Sequence, residues 1–144
     1  MKIAIGSDHR GFEHKGFIIQ KIKSISWIDV GCFSSDRCDY PIFAQLVSSA
    51  ILKKEADFGI LLCGTGIGMA IAANRFTRIY AGLCWNSEIA RLAKEHDNIN
   101  VLVLPSDFVS PDESIEIINN WLHTEFKAGR YQKRLDMIDT PENA

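Results

Sequence analysis

The chain has 144 residues, a length that suits one domain with its own hydrophobic core. Hydrophobic residues make up 47% and charged residues 24%, which is typical of a globular protein and argues against a disordered or fibrous chain. The formal net charge of −2 provides no overall basic field, so we expect neither nucleic acid nor a membrane surface as a partner.

Short segments of β-strand type alternate with longer segments of helical type. Strands are predicted over residues 2–7, 27–31, 57–64, 79–85 and 100–105. Helices, in which apolar residues recur every three or four positions, are predicted over residues 12–24, 40–56, 68–76, 87–96 and 110–126. This alternation predicts an α/β fold: one domain over residues 1–144, built on a three-layer, Rossmann-like, doubly wound sheet of five parallel strands.

The C-terminal segment departs from this alternation. Gly129 is a typical helix stop, and residues 130–138 have the pattern of a short separate helix. We therefore expect a C-terminal helical tail that leaves the main body.

Ligands of open α/β sheets bind outside the carboxyl ends of the strands. This rule selects Ser7 to His9, Cys63 to Gly68, and the pair Cys84–Trp85. We expect the first strand to lie beside the third, which would bring the first two segments together. Asp8 has two open interpretations, as a simple helix cap or as part of a functional corner with His9.

Glycines at positions 64, 66 and 68 follow the most apolar strand and precede a helix. Their bare backbone N–H groups suit a small anion. Met69 stands where a dinucleotide-binding motif needs its third glycine, and no Gly-Lys-Ser/Thr sequence forms a P-loop here. Met69 also stands where the phosphate loop of a cysteine phosphatase needs an arginine. The pattern disfavours these three classes of protein and favours a small anion beside Cys63.

Cys63 ends the strand before this loop, and two interpretations are open. A free cysteine is often a buried core residue. Alternatively, the loop N–H groups and the helix dipole would lower the pKa of this thiol and make it a nucleophile or a general base. The other cysteines, Cys32, Cys38 and Cys84, lack that loop and are predicted to be structural.

The remaining candidates lie outside the strand ends. His96 ends a predicted helix, where it serves either chemistry or the helix dipole. Arg130 and Arg134 share a helix face because they are four residues apart, so they either grip a phosphate or form a solvated basic surface. We predict that His14 and His123, which fall within helical patterns, lie on the surface.

The four cysteines have no metal-site or CxxC spacing, and no apolar segment is long enough to span a bilayer. The N-terminal MKIAIGSDH does not have the pattern of a signal peptide, since Asp8 follows a very short apolar run. We therefore expect a cytoplasmic protein with reduced thiols.

Several motifs, in order and spacing, resemble the ribose-5-phosphate isomerase B family, which includes galactose-6-phosphate isomerase subunits. They are SDHRGFEHK, DYP, CGTGIGMAIAANR, EH, NVLVL and GRYQKR, and together they extend over nearly the whole chain. The resemblance implies cofactor-free interconversion of ribose 5-phosphate and ribulose 5-phosphate in the pentose phosphate pathway. It also implies homodimers, or dimers of dimers, whose active sites are shared between subunits, with the tail 129–144 packed on a partner.

The same resemblance implies roles for individual residues. Cys63 matches the general base that moves a proton between C1 and C2, and Met69 indicates the branch that uses a cysteine base rather than a glutamate. His96 matches the acid/base that opens the furanose ring, with Asp8 at the other end of that proton path. Thr65 would orient the thiol and the substrate. Substrate contacts fall on the enediolate loop of Gly64, Thr65, Gly66, Ile67 and Gly68, on the phosphate contacts His9, Arg130 and Arg134, and on Tyr40 in the sugar site.

Two positions depart from the family pattern. Asp97 stands where asparagine usually follows the ring-opening histidine, and Asp107 stands where an arginine commonly contacts the phosphate. Arg10 is the candidate to restore the lost positive charge.

Three alternatives to a ribose-5-phosphate isomerase are open. The first is an isomerase that prefers allose or galactose 6-phosphate. The second is a non-catalytic sugar-phosphate-binding protein or subunit, and the third is a thiol hydrolase that uses Cys63 with His96.

Overall fold

The computed structural model describes residues 1–141, and its core is a five-stranded parallel sheet of strand order β2-β1-β3-β5-β4. The strands are β1 (Lys2–Ser7), β2 (Ser26–Gly31), β3 (Phe58–Cys63), β4 (Ala81–Leu83) and β5 (Val101–Pro105). The predicted α/β fold is confirmed, and β1 pairs with β3 as expected.

Helices connect the strands and cover both faces of the sheet. They are α1 (Phe12–Lys21), α2 (Tyr40–Leu52), α3 (Ile67–Ala73), α4 (Ser87–Asp97), α5 (Pro111–Leu122) and α6 (Arg130–Asp139). Alternate side chains of a strand point to opposite faces. Ile60 and Leu62 therefore pack with α1, α4 and α5, whereas Leu61 and Cys63 pack with α2 and α3. Cys63 thus faces the side of the sheet that the glycine loop and its helix cover.

Four helices end earlier than the apolar spacing predicts, among them α3, which ends at Ala73 rather than at residue 76. The first ends at Lys21 because Ile22 is extended, and the second ends at Leu52 shortly before Lys54, whose φ is 62°. The fifth ends at Leu122. At the other end of that helix, Ser110 and Glu113 form a capping box in which each side chain accepts a hydrogen bond from the other residue's backbone N–H.

The fourth strand is shorter than the predicted 79–85 and lies at the edge of the sheet. Asn74, just after α3, covers that edge. Its side-chain Nδ2 donates to the carbonyl of Ala81 at 2.9 Å, and its Oδ1 accepts from the N–H of Ala81 at 2.8 Å. A side chain therefore replaces part of the missing neighbouring strand.

The expectation that the C-terminal helix leaves the main body is wrong. Gly129, with φ 58°, precedes α6 rather than ending α5. The helix packs back on α4 of its own chain, where Leu135 is buried and the ring of Tyr131 stacks on His96. Tyr80 donates a hydrogen bond to Asp139 near the other end of the helix. Packing of the tail on a partner subunit stays a prediction, and residues 142–144 lie outside the described part of the chain.

The surface position predicted for His14 is also wrong. The side chain is buried between α1 and α5, where Nε2 lies 2.5 Å from Oγ of Ser114. Burial lowers the pKa of His14, so the imidazole is a neutral hydrogen-bonding group in the core. His123, by contrast, is exposed as expected.

None of the helices within residues 1–141 has the length and apolar character needed to cross a membrane.

Candidate active site

A cavity of about 370 Å³ opens at the carboxyl ends of β1, β3 and β5. Its lining comes from the strand ends, the glycine loop and the start of α2. The lining residues are Asp8, Arg10, Tyr40, Cys63, Gly64, Thr65, Gly68, Asp107 and Phe108. Six of the sequence-predicted site residues are therefore brought together around one space. Cys63 is only 5% exposed, yet it lines this cavity, so burial does not separate the thiol from a ligand.

The glycine loop holds the backbone close to the Cys63 thiol. Gly66 has φ 75°, a left-handed conformation that favours glycine, and α3 begins at the next residue. A side chain at Gly66 would also meet Leu83, because a Cβ there would lie 2.4 Å from its Cδ1. This turn aims the backbone N–H groups of Met69, Gly66 and Thr65 at the sulfur.

Of the two interpretations of Cys63, the one with a lowered pKa disagrees with the structure of the free chain. Burial raises the pKa of Cys63, because a thiolate loses its hydration in the cavity wall. The N–H groups of Met69, Gly66 and Thr65 lower it, and the negative charge of Asp8 raises it again. The net pKa is raised, so the amides offset part of the desolvation without overcoming it.

Asp8 does not cap α1, whose N-cap residue is Gly11 without a side-chain cap bond, so the helix-cap interpretation is wrong. Its carboxylate is buried, and Oδ1 accepts the backbone N–H groups of Arg10 at 2.9 Å and Gly11 at 3.2 Å. These bonds fix the turn between β1 and α1. The residue also lines the cavity, so it is both a structural support and a candidate proton-handling group.

Tyr40 and His9 lie on either side of the segment that leads into α2. His9 Nδ1 lies 3.2 Å from the carbonyl and 3.3 Å from the nitrogen of Cys38, which ties that segment to the end of β1. Tyr40 lines the cavity above Gly68, where a Cβ would lie 2.5 Å from the ring. The glycine therefore allows the tyrosine ring to lie against the loop. His9 itself is outside the cavity lining.

Thr65 and Ile67 are the exposed residues of the glycine loop. Thr65 is exposed, and its Oγ1 accepts the N–H of Ile67 at 3.3 Å. Ile67 is 55% exposed and lines a neighbouring apolar cavity of about 430 Å³ together with Thr65, Trp85 and Phe108.

His96, Arg130 and Arg134 form a second cluster, apart from the cavity at Cys63. The ring of His96 stacks on Tyr131 with the centroids 4.5 Å apart, and the guanidinium carbons of Arg130 and Arg134 lie 5.0 Å and 5.4 Å from the same tyrosine ring. None of the three is among the residues that line the cavity. A single chain therefore does not bring all the predicted site residues into one place.

The sequence does not single out Phe108 as a site residue, and it singles out Asp107 only as a departure from the family pattern. Phe108 lines the cavity and is 74% exposed, and Asp107 forms an ion pair with Arg10 at the cavity mouth. Both follow the carboxyl end of β5, and the strand-end rule points to them as directly as to Cys63.

The other cysteines fit a structural role. Cys84 is fully buried, and burial raises its pKa to about 12. Cys32 is buried near Ser7, with Sγ 3.7 Å from Oγ. Burial and the neighbouring Cys32 thiol raise the pKa of Cys38 to about 11. Within residues 1–141, no group of three or more histidine, cysteine or acidic side chains is placed to hold a metal ion.

Replacement of Gly66 by alanine tests the left-handed turn. We expect Gly66→Ala to lower the free energy of unfolding by about 1–3 kcal/mol, through backbone strain and the contact with Leu83. Gly16→Ala is the matched control, because Gly16 lies within α1 and a Cβ there meets nothing within 4 Å. That control should gain roughly 0.5–1 kcal/mol, measured by urea denaturation. Equal changes in both variants would contradict the assigned turn.

Comparison with known proteins shows the family to which this chain belongs. Residues 3–138 match the family model described as Ribose/Galactose Isomerase. Ribose-5-phosphate isomerase B of Escherichia coli is 40% identical over 143 residues, which cover 98% of this chain and 96% of that protein. The crystal structure of a ribose 5-phosphate isomerase from Thermotoga maritima matches with a TM-score of 0.94 and 46% identity, covering 96% of this chain and 97% of the other.

A further match is ribose-5-phosphate isomerase B of Mycoplasma genitalium, whose crystal structure holds bound ribulose-5-phosphate. It has a TM-score of 0.90 and 41% identity, and covers 96% of this chain and 93% of the other. The chain therefore belongs to the ribose/galactose isomerase family of sugar phosphate isomerases, as a homologue of ribose-5-phosphate isomerase B.

Proposed function

We propose that the protein interconverts ribose 5-phosphate and ribulose 5-phosphate, with Cys63 as the general base. The observation that carries this proposal is the position of the Cys63 thiol, which lines a cavity of substrate size while backbone N–H groups surround it. The relatives named ribose-5-phosphate isomerase B support the choice of substrate.

The chemistry needs a base beside C1 and C2 and donors for a developing oxyanion. The Cys63 thiolate takes the proton from C2 of the open-chain aldose, and the electron pair left behind forms an enediolate. The thiol then returns a proton to C1, while the hydroxyl proton at O2 passes to O1, so that O1 becomes a hydroxyl and the carbonyl forms at C2. Backbone N–H groups between Gly64 and Gly68 hold the enediolate oxygens, and Thr65 orients the sugar. This scheme places the chain in the cysteine-base branch and uses no cofactor.

The raised pKa of Cys63 is compatible with this role. Proton transfer from carbon needs a strong base, and a thiolate of higher pKa takes a proton more readily once it has formed. The disadvantage is that the thiolate is a minor species at neutral pH. Asp8, a buried carboxylate of the same cavity, adds to that effect, and in our proposal it stands at the other end of the proton path for ring opening.

A second copy of the chain would complete the site. His96, Arg130 and Arg134 are grouped around Tyr131 and are absent from the cavity lining, so in our proposal they act on the cavity of a partner. Large apolar side chains that are exposed on α2, on α3 and after β4 and β5 support a homodimer, or a dimer of dimers, because water would otherwise cover them. They are Ile42 at 54%, Leu46 at 44%, Ile67 at 55%, Ile71 at 62%, Trp85 at 55% and Phe108 at 74% exposure. His96 would open the furanose ring, and the two arginines with His9 would hold the phosphate.

Removal of the Cys63 thiol is the direct test of the assigned base. We expect Cys63→Ala to lower kcat by about 10³-fold or more, since none of the other residues within 1–141 that line the cavity is a cysteine. Cys84→Ala, which removes a fully buried thiol outside the cavity, should retain turnover. Circular dichroism checks that both variants fold. Near-normal kcat in Cys63→Ala would show that the base is another residue.

The pH dependence of turnover follows from the direction of the Cys63 pKa shift. Because the pKa of this thiol lies above its ordinary value, the thiolate fraction keeps increasing as the pH rises through and beyond 8. We expect kcat/KM for ribose 5-phosphate to rise by about tenfold per pH unit on that limb. A profile that is already level at pH 7 would contradict a thiolate base in this environment.

Mixing two inactive variants tests whether the site is shared between subunits. In a mixed dimer of Cys63→Ala and His96→Ala chains, one site combines the intact Cys63 of one chain with the intact His96 of the other. Random reassembly should therefore restore about a quarter of wild-type activity. If each chain holds a complete site, the mixture stays as inactive as its components.

A further inference from the structure

The lining of the Cys63 cavity has an unfavourable charge balance for an anionic ligand. Two carboxylates, Asp8 and Asp107, line it against one guanidinium, that of Arg10. The Asp8 carboxylate already accepts two backbone N–H groups, whereas Asp107 pairs with Arg10. Among the lining residues of the described chain, 1–141, a phosphate meets one cation, Arg10, which is already paired with the carboxylate of Asp107.

The Arg10–Asp107 pair lies directly above the residue that follows Cys63. A Cβ on Gly64 would lie 2.6 Å from Nε of Arg10 and 2.8 Å from Oδ2 of Asp107. Both residues are anchored next to the loop: the N–H of Asp107 donates to the carbonyl of Gly64 at 3.0 Å, and Oγ of Ser106 donates to the carbonyl of Arg10 at 3.3 Å. The pair is therefore held at the mouth of the cavity.

The guanidinium remains accessible to a ligand. The side chain of Arg10 is 58% exposed and that of Asp107 is 33% exposed. Arginine has five N–H donors in a planar fork, which suits two-point contact with a phosphate. The hydrogen bond to Asp107 runs from Nη2, and Nε lies over Gly64, so the guanidinium is held at the start of the glycine loop.

We propose that Arg10 contacts the phosphate of the substrate and that Asp107 limits phosphate affinity by competing for the same guanidinium. This inference rests on the proposed function and adds a specificity-determining pair to it. An exposed ion pair contributes little to stability, so a role in the fold alone does not account for a pair placed over the loop. Competition by Asp107 makes release of the anionic product easier at the expense of tight binding.

Binding of inorganic phosphate to the full chain, measured by calorimetry, tests the pair without any turnover. We expect Asp107→Asn to lower the phosphate Kd about 3- to 10-fold, because a charge is removed while an acceptor oxygen is kept. Arg10→Gln should raise the Kd about 10-fold or more, and Arg10→Lys should recover part of the loss. In the Arg10→Gln background, the gain from Asp107→Asn should be smaller. Glu116→Gln, an exposed charge removal on α5, is the control and should leave the Kd unchanged.

Steady-state kinetics with ribose 5-phosphate provide the second measurement. KM should follow the phosphate Kd in each variant, with a much smaller effect on kcat. The proposal is overturned if Arg10→Gln leaves the Kd unchanged, if Asp107→Asn weakens phosphate binding, or if the gain from Asp107→Asn is undiminished without Arg10. If one of these results is found while the wild-type protein still converts ribose 5-phosphate, the inference about Arg10 and Asp107 fails and the proposed function stands. Phosphate binding that depends on Arg10, without turnover of ribose 5-phosphate, would instead contradict the proposed function alone.

Discussion

The burial of the Cys63 thiol at the point where β3 gives way to the glycine loop is the constraint on which the site depends. Burial opposes the thiolate, and backbone N–H groups aimed at the sulfur favour it. The second effect depends on the turn at Gly66, whose left-handed conformation reverses the chain so that N–H groups before and after it approach the sulfur. A thiol that remains protonated until a sugar arrives is also less open to oxidation than a free thiolate.

The strand order of the sheet determines what surrounds that thiol. Because β3 lies between β1 and β5, the segments that follow these three strands converge at one edge. Asp8 and Arg10 come from the first, Cys63 from the second and Asp107 from the third. His96 on α4 and the two arginines of α6 lie together around Tyr131, apart from this edge of the sheet. In our proposal, a second copy of the chain therefore supplies these three side chains to the cavity.

Much of this arrangement is readable from the sequence, and the failures have physical causes. Alternating apolar patterns predict the strands and helices, since burial of one face imposes those periods. The position of α6 depends on one buried side chain, Leu135, and on a stack between Tyr131 and His96, which no local pattern encodes. The direction of the Cys63 pKa shift is not readable from the sequence, because the loop N–H donors are visible in a sequence but the extent to which burial removes water from the thiol is not.

Isotope exchange tests most directly whether a thiol in contact with cavity water moves the proton. Ribose 5-phosphate is incubated with the enzyme in D₂O, and the ribulose 5-phosphate formed early is analysed by mass spectrometry and NMR. We expect deuterium at C1 of that product, because the proton held on the Cys63 sulfur exchanges with solvent before it is returned to the sugar. Product that carries only hydrogen at C1 would indicate direct hydride transfer between carbons and would contradict a thiolate base.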